Sequence, residues 1–136
     1  LKDGFADVFI FNEIFYAHYY LNTDQPQLAY SHIEKSKKYL TENTYFMYKV
    51  LYYDIYGKYY QSIKQYQQAS AYIDTTLTML KKDFTSDYAE QLLKQAKIWV
   101  EAGDNNRATT LYQQALAIKD SAGTLQHPNG ANQKKL

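Results

Sequence analysis

Apolar side chains recur at a helical spacing along almost the whole chain. Between residues 89 and 100, six of them fall three or four positions apart or side by side: Ala89, Leu92, Leu93, Ala96, Trp99 and Val100. This spacing places them on one face of a helix with 3.6 residues per turn. Gly103 suits the left-handed residue that ends a helix, and Asp104 can cap the next one. The pattern predicts a helix over 89–100 and a second over about 105–121.

The same helix–turn–helix unit occurs twice more upstream. Helices are predicted over about 4–21, from Pro26 to about Leu40, over 44–62, and from just after Gln65 to about Lys81. Pro26 fits the first turn of a helix, because its missing N–H would be unpaired there anyway. Asp87 and Glu90 resemble a capping pair, which places the start of the fifth helix near Asp87. We therefore predict six helices in three antiparallel pairs.

Three small residues set the period of these units. Ala29, Ala69 and Ala108 are 40 and 39 residues apart, and a second small residue precedes each of them, at Ala17, Gly57 and Ala96. An aromatic residue follows three positions later, at Tyr20, Tyr60 and Trp99. The pattern resembles the tetratricopeptide repeat (TPR), whose signature combines a large residue, a small residue and an aromatic residue in the first helix with alanine in the second.

The resemblance implies an all-α fold, a right-handed α-solenoid of three antiparallel helix pairs with a concave face. Repeats would cover about 10–43, 50–83 and 89–121, inside a repeat domain over 1–121 and ahead of a polar tail or linker over 122–136. The family repeat is about 34 residues long. We therefore expect five or six extra residues in each turn between repeats. The first repeat departs most from the family, with Glu13 at its large-residue position.

In this family the first helix of each pair lines the concave face, and the resemblance implies a protein or peptide partner there. The partner-binding candidates at these positions are His18, Asn22, Leu51, Asp54, Lys58, Gln61, Glu90, Leu93, Lys97 and Glu101. The same pattern also points Ile14 outward. Some members clamp the carboxylate of a chaperone tail with Lys, Asn, Asn, Lys and Arg. Those positions hold Ile14, His18, Ile55, Glu90 and Lys94 here, so that kind of ligand is not expected.

The tyrosine-rich stretch over 51–66 holds six of the 16 tyrosines. Tyr53, Tyr56 and Tyr60 share one helical stripe, at the packing positions of the repeat. Tyr52 and Tyr59 form a second stripe, predicted to meet the neighbouring helix pair. We therefore interpret the tyrosines as packing residues, and we expect the polar residues between them to bind.

Composition excludes several classes of function. The net charge is +1, with no clustered basic excess, so we expect no nucleic-acid partner. Cysteine is absent, and no apolar run is long enough to cross a membrane, so neither thiolate metal sites nor membrane contact by this segment is expected. His18, His32 and His127 lack ligand spacing, and no nucleophile or phosphate-binding motif occurs. We expect no enzyme activity, cofactor or metal in this segment.

The first helix is apolar on nearly every side, unlike the terminal helix of a stack exposed to water. Phe5, Val8, Phe9, Phe11 and Phe15 all belong to it. The first residue is Leu, and we interpret the chain as part of a longer protein. Further repeats upstream, or a second copy in a homodimer, would cover this helix.

The end of the third repeat carries a second resemblance. Lys119-Asp120-Ser121, followed by the polar stretch Asn132–Leu136, is similar to the last repeat in the sensor regions of Bacteroidetes two-component histidine kinases. That resemblance implies the input region of a membrane-bound kinase, on the periplasmic side of a bacterial inner membrane, with catalysis elsewhere in the parent. Two alternatives stay open, each compatible with a cytoplasmic location: a free-standing scaffold that assembles a complex, and the input domain of a repeat-containing transcription regulator.

Overall fold

In the computed structural model, which describes residues 3–81 and 84–126, the secondary structure is entirely helical. The six helices are α1 (Asp3–Asn22), α2 (Pro26–Lys37), α3 (Phe46–Ser62), α4 (Tyr66–Leu80), α5 (Thr85–Ala102) and α6 (Asn105–Gln126). The predicted all-α class and the order of the elements are confirmed. Pro26 opens α2, as expected for a residue without an N–H.

The turn inside each helix pair has the same backbone geometry in all three pairs. Asp24, Lys64 and Gly103 adopt positive φ angles of 59°, 63° and 86°. The next residue in each turn donates its N–H to a carbonyl five positions back: Gln25 to Tyr20, Gln65 to Tyr60 and Asp104 to Trp99, at 2.8–2.9 Å. This is the Schellman arrangement, which satisfies the last carbonyls of a helix. The turn therefore repeats with the same 40- and 39-residue spacing as the small residues.

Other helix ends differ from the predictions. α5 begins at Thr85, directly after Phe84, so the interpretation of Asp87 and Glu90 as its capping pair is wrong. The extra residues between the first two repeats form the connection 38–45. After the second repeat they lengthen the helix instead. α4 ends at Leu80, 11 residues after Ala69, whereas α2 ends at Lys37, eight residues after Ala29. α6 continues five residues beyond the predicted Ser121. Residues 127–136 of the predicted tail, including His127, lie outside the described residues.

The described chain divides into two compact units, with the boundary between residues 76 and 77, inside α4. In the first unit, α1 packs on α2 and both contact α3. Its core contains the fully buried isoleucines Ile10, Ile33 and Ile55, together with alanine and tyrosine side chains. Ala17 and Ala29 are also fully buried, because small side chains allow the paired helices to approach closely.

Gly57 lies where α3 approaches α4 closely. A Cβ atom at this position would lie 2.9 Å from Cδ1 of Ile73 and 3.4 Å from the carbonyl oxygen of Ala69. Ile73 and Ala69 are themselves buried. Glycine therefore suits this position because a larger side chain would press against α4. Its φ angle gives no other reason, since it is not in the left-handed region.

The second unit is built on the pair α5–α6. Ala89, Leu92 and Ala96 of α5 are buried, as are Ala108 and Ala115 of α6. In the turn between the helices, Oδ1 of Asp104 accepts the N–H of Arg107 at 3.1 Å, which caps the start of α6 as predicted. The Arg107 guanidinium also lies over the Trp99 ring, 4.4 Å from its centroid.

Candidate protein-binding surface

Three of the predicted binding residues meet at the surface of the first unit. Nζ of Lys58, on α3, donates to Oδ1 of Asn22 at 2.9 Å and lies 3.3 Å from Nδ1 of His18, both on α1. Because an ammonium group only donates, this contact requires Nδ1 of His18 to be an acceptor. We call His18, Asn22 and Lys58 the α1–α3 polar patch. The structure therefore brings together side chains that are 36 and 40 residues apart in sequence.

Two outward positions of the first unit are buried instead. Ile14 is 3% exposed and belongs to the core, so its predicted outward position is wrong. Asp54 is only 8% exposed, so it lies beneath the surface that was predicted to present it. Ile14 and Asp54 are 40 residues apart and occupy the same position of the repeat. Leu51 and Gln61 are half-buried.

The second unit contains the other four candidates, all on α5. Lys97 and Glu101 are exposed one turn apart, and Leu93 is half-buried. Oε1 of Glu90 lies 2.5 Å from Nζ of Lys119, on α6. Because both side chains are about half exposed, this ion pair contributes little to stability. Glu90 is therefore partly engaged within its own unit.

The tyrosines pack as interpreted from the sequence. The Tyr72 ring, on α4, stacks on Tyr56 at 4.9 Å and on Tyr60 at 5.5 Å, and lies 6.4 Å from Tyr53. Tyr52 and Tyr59, the second stripe, belong to the core shared with α1 and α2. Tyr52, Tyr56 and Tyr59 are all buried. Packing within and between the first two repeats is confirmed for both stripes.

The Glu34 carboxylate lies beside these rings. Glu34, on α2, accepts a hydrogen bond from the hydroxyl of Tyr56. Burial and this hydrogen bond both raise the pKa of Tyr56 well above its ordinary value of 10.0. Burial also raises the pKa of Tyr52, to about 12. The negative charge of Glu34 is the largest cause of the raised pKa of Tyr30. The cluster therefore favours neutral hydroxyls.

A polar contact between α1 and α2 was not found from the sequence. Nδ1 of His32 lies 2.5 Å from Oε2 of Glu13. The imidazole is stacked between Tyr16 and Tyr20, with ring centroids 5.1 and 5.4 Å away. The sequence feature that could have pointed to this contact is Glu13 itself, a charged residue where the repeat pattern expects a large apolar one. Glu13 is explained by its partner on the second helix of the pair.

One face of α1 exposes large apolar side chains. Their exposed fractions range from 39% to 64%: Phe5, Val8, Phe9, Phe11, Phe15, Tyr16 and Tyr19. Asn12 is the polar residue among the exposed positions from 5 to 19. We call these eight residues the α1 apolar face. Patches of this kind are uncommon on soluble monomers and usually mark interaction sites.

The described part of the chain contains neither a metal-binding cluster nor a membrane-spanning helix. Over 3–81 and 84–126, no group of three or more His, Asp or Glu side chains is placed to hold a metal ion. Within the same ranges, no helix combines the length and the apolar character needed to cross a membrane.

Comparison with solved structures identifies the arrangement of helices. The crystal structure of the TPR domain of Arabidopsis FLU superimposes with a TM-score of 0.73, over 85% of this chain and 98% of that one. The fold is that of a TPR domain. Sequence identity between the two is 17%, so the likeness concerns the fold. No family model matches the sequence, and no curated protein matches it significantly.

Proposed function

We propose that this chain is a TPR module that binds a protein or peptide through its first helices, with the α1–α3 polar patch as the anchor. The observation that carries the proposal is the bridge from Lys58 to Asn22 and His18. It presents a cation at the surface of two adjacent repeats, between tyrosines that are committed to packing. Leu51 and Gln61 extend this surface along α3.

The chemistry of the patch favours a carboxylate on the partner. Asn22 and His18 offer neutral acceptors to the Lys58 ammonium. A carboxylate forms shorter and stronger hydrogen bonds to an ammonium than a neutral acceptor does. An acidic side chain or a free chain end can therefore exchange with these contacts. Lys97 and Glu101 are the corresponding candidates of the second unit, and we propose them as a separate contact of mixed charge.

Synthetic peptides test the patch. A panel of short peptides would carry free or amidated carboxyl ends and acidic, neutral or basic side chains, and fluorescence anisotropy would measure their binding. We expect the peptides that carry a carboxylate to bind. Lys58→Gln should weaken their affinity at least about tenfold, a change of about 1.4 kcal/mol in binding free energy. Lys37→Gln removes the same charge from an exposed position on α2 and should change nothing. Equal weakening by both variants, or binding by amidated neutral peptides alone, would refute the anchor.

We further propose that the parent protein is a membrane-bound two-component sensor histidine kinase, with this module as its periplasmic input region. Support comes from the resemblance at Lys119-Asp120-Ser121, and α6 continues through these residues to Gln126 without a break. The parent gene tests this role directly. A signal peptide upstream, with a membrane span and a kinase core downstream, would support it. A stop codon or further repeats after Leu136 would instead favour a scaffold, and a DNA-binding output would favour a transcription regulator.

A further inference from the structure

We propose that the α1 apolar face is a self-association surface, and that two copies of this chain pair through it in an antiparallel α1–α1′ contact centred on Asn12. The α1 apolar face is distinct from the α1–α3 polar patch. It consists of seven exposed apolar side chains and one polar residue, Asn12.

Three residues of the α1 apolar face occupy repeat positions that, in α3, pack against other helices. Forty residues further along, α3 has Tyr52, Ile55 and Tyr59 at the positions of Asn12, Phe15 and Tyr19. These α3 residues are buried in the core shared with α1 and α2. At the corresponding positions of α1, Phe15 and Tyr19 are at least as large as Ile55 and Tyr59 but are exposed, and Asn12 is a smaller, exposed polar residue. The face therefore resembles a packed helix surface, but its side chains are exposed in the part of the chain that the structure describes.

The size of the face matches what a stable dimer requires. If a fully exposed aromatic side chain offers about 200 Å², the exposed fractions of the seven apolar residues correspond to roughly 700 Å² per copy. Standard interfaces bury about 800 Å² on each partner. The exposed ring of Tyr45, which contacts Tyr48 at the edge of the face, adds further area.

Several side chains of the face are already held in place. Phe9 stacks on Tyr39 with centroids 5.0 Å apart, and Phe11 meets the edge of Tyr48 at 6.4 Å. Tyr16 stacks on His32, which is paired with Glu13. Side chains fixed before association lose less entropy when they are buried. These three side chains are therefore positioned by contacts within the chain itself.

The distribution of polar groups favours a second copy as the occupant. Asp7 and Glu13 point to other sides of α1 by the helical period, so the face carries no charge. In a two-fold contact, residue i meets residue j and j meets i. Asn12 lies seven residues after Phe5 and seven before Tyr19, so an antiparallel pairing places the two Asn12 amides together. Because a side-chain amide both donates and accepts hydrogen bonds, the Asn12 side chains of the two copies can hydrogen-bond to each other.

The oligomeric state tests the proposal. Sedimentation velocity of the chain over a wide concentration range should show a monomer–dimer equilibrium. Phe15→Glu should shift it to monomer by at least about a hundredfold in Kd, because two like charges and their desolvation would enter the contact. Leu116→Glu is the matched control, since Leu116 is 62% exposed on α6 and Phe15 is 64% exposed. Circular dichroism would show that both variants keep their helices.

Cross-linking tests the position of the two-fold axis. The chain has no cysteine, so Asn12→Cys introduces a single thiol, and mild oxidation should link two copies rapidly. Gln68→Cys, exposed on α4, should link only slowly by collision. A monomer at every concentration would overturn the proposal and would point to another occupant, such as a further helix pair. A dimer unaffected by Phe15→Glu, or equal cross-linking of both thiols, would overturn it too.

Discussion

The three left-handed residues of the helix-pair turns differ in side chain but share one conformation. Glycine adopts it without strain, aspartate tolerates it, and lysine pays a steric penalty between its Cβ atom and the backbone. Lys64, at φ 63°, is therefore the most strained of the three. The repeated geometry shows that the turn is set by the packing of the paired helices rather than by the residue in it.

Replacing Lys64 with glycine should relieve this strain. We expect Lys64→Gly to raise the free energy of unfolding by about 1 kcal/mol, and Asp24→Gly to raise it by less. Gly103→Ala should lower it by about 1 kcal/mol. Urea denaturation of the three variants would measure these changes. A destabilised Lys64→Gly variant would show that its side chain makes a contact worth more than the strain.

The tyrosine cluster predicts instability in alkali. Because folding raises the pKa of Tyr52 from 10.0 to about 12, the folded chain keeps a proton that the unfolded chain loses. The contribution of the protonated Tyr52 to the free energy of unfolding is therefore fully present below pH 10, and it is lost as the pH rises from 10 through 12. Tyr52→Phe should reduce the slope by up to about 1.4 kcal/mol per pH unit. Urea midpoints across this range would test it, and an unchanged slope would contradict it.

Some of these residues could be predicted from the sequence and others could not. Gly103 was identified as a left-handed residue because glycine is the usual choice there. Asp24 and Lys64 carry no such local signal, although they lie 79 and 39 residues before Gly103, in register with the repeat. The contact of Glu13 with His32 depends on which helix faces meet, and spacing along one helix does not give that.

At the scale of helices, the approach of α3 to α4 at Gly57 can be tested by a double-mutant cycle. Gly57→Ala gains up to about 1 kcal/mol of helix propensity, but its Cβ atom would press on Cδ1 of Ile73. Ile73→Val removes that atom and alone should cost about 1 kcal/mol. In the Gly57→Ala background the cost should be smaller by at least about 0.5 kcal/mol. Additive effects would show that Ile73 moves aside freely.

A second pair of variants on α3 separates packing from binding. Tyr56→Ala removes a ring stacked on Tyr72 and the hydrogen bond to Glu34, and should lower the free energy of unfolding by about 3–5 kcal/mol. Lys58→Ala removes contacts at the surface, and should lower it by less than about 1 kcal/mol. Thermal denaturation of both would test the assignment. Similar small losses would mean that the tyrosines are not the packing residues.

The positions of the helices could be predicted from the hydrophobic periodicity. Which face of α1 points to solvent could not. α1 is apolar on several sides, so hydrophobic pattern alone cannot tell the buried position of Ile14 from the exposed position of Phe15. The family pattern assigned Ile14 and Asp54 to the surface. Both are buried instead, and Ile14 belongs to the core of the first unit. Lys58, with a long side chain, reaches the surface from the next turn.

For the whole molecule, the repeat was enough to predict the fold, because three copies in phase define the number, order and pairing of the helices. The partner could not be predicted in the same way, since surface side chains such as Asn22 and Lys58 do not affect the period. The same is true of self-association: composition showed that α1 is too apolar, whereas the exposed fractions showed which side of it is uncovered.

Thermal stability should depend on protein concentration if the α1 apolar face pairs. Mass action stabilises the folded dimer by about 2.7 kcal/mol for a hundredfold rise above its Kd. We therefore expect the Tm to rise by several degrees over that range in the unaltered chain and in Leu116→Glu. In Phe15→Glu it should stay constant. Calorimetry at several concentrations would measure this, and the same Tm for all three chains at every concentration would contradict it.

The stack of Tyr56, Tyr60 and Tyr72 has an optical consequence. Tyrosine rings held at fixed angles in an asymmetric environment give a near-ultraviolet circular dichroism signal, which vanishes when the side chains rotate freely. The stack therefore contributes a signal of side-chain order that is distinct from the far-ultraviolet signal of the helices. A variant that keeps its helices but loses fixed packing would be recognised by the loss of one signal without the other, with no label attached.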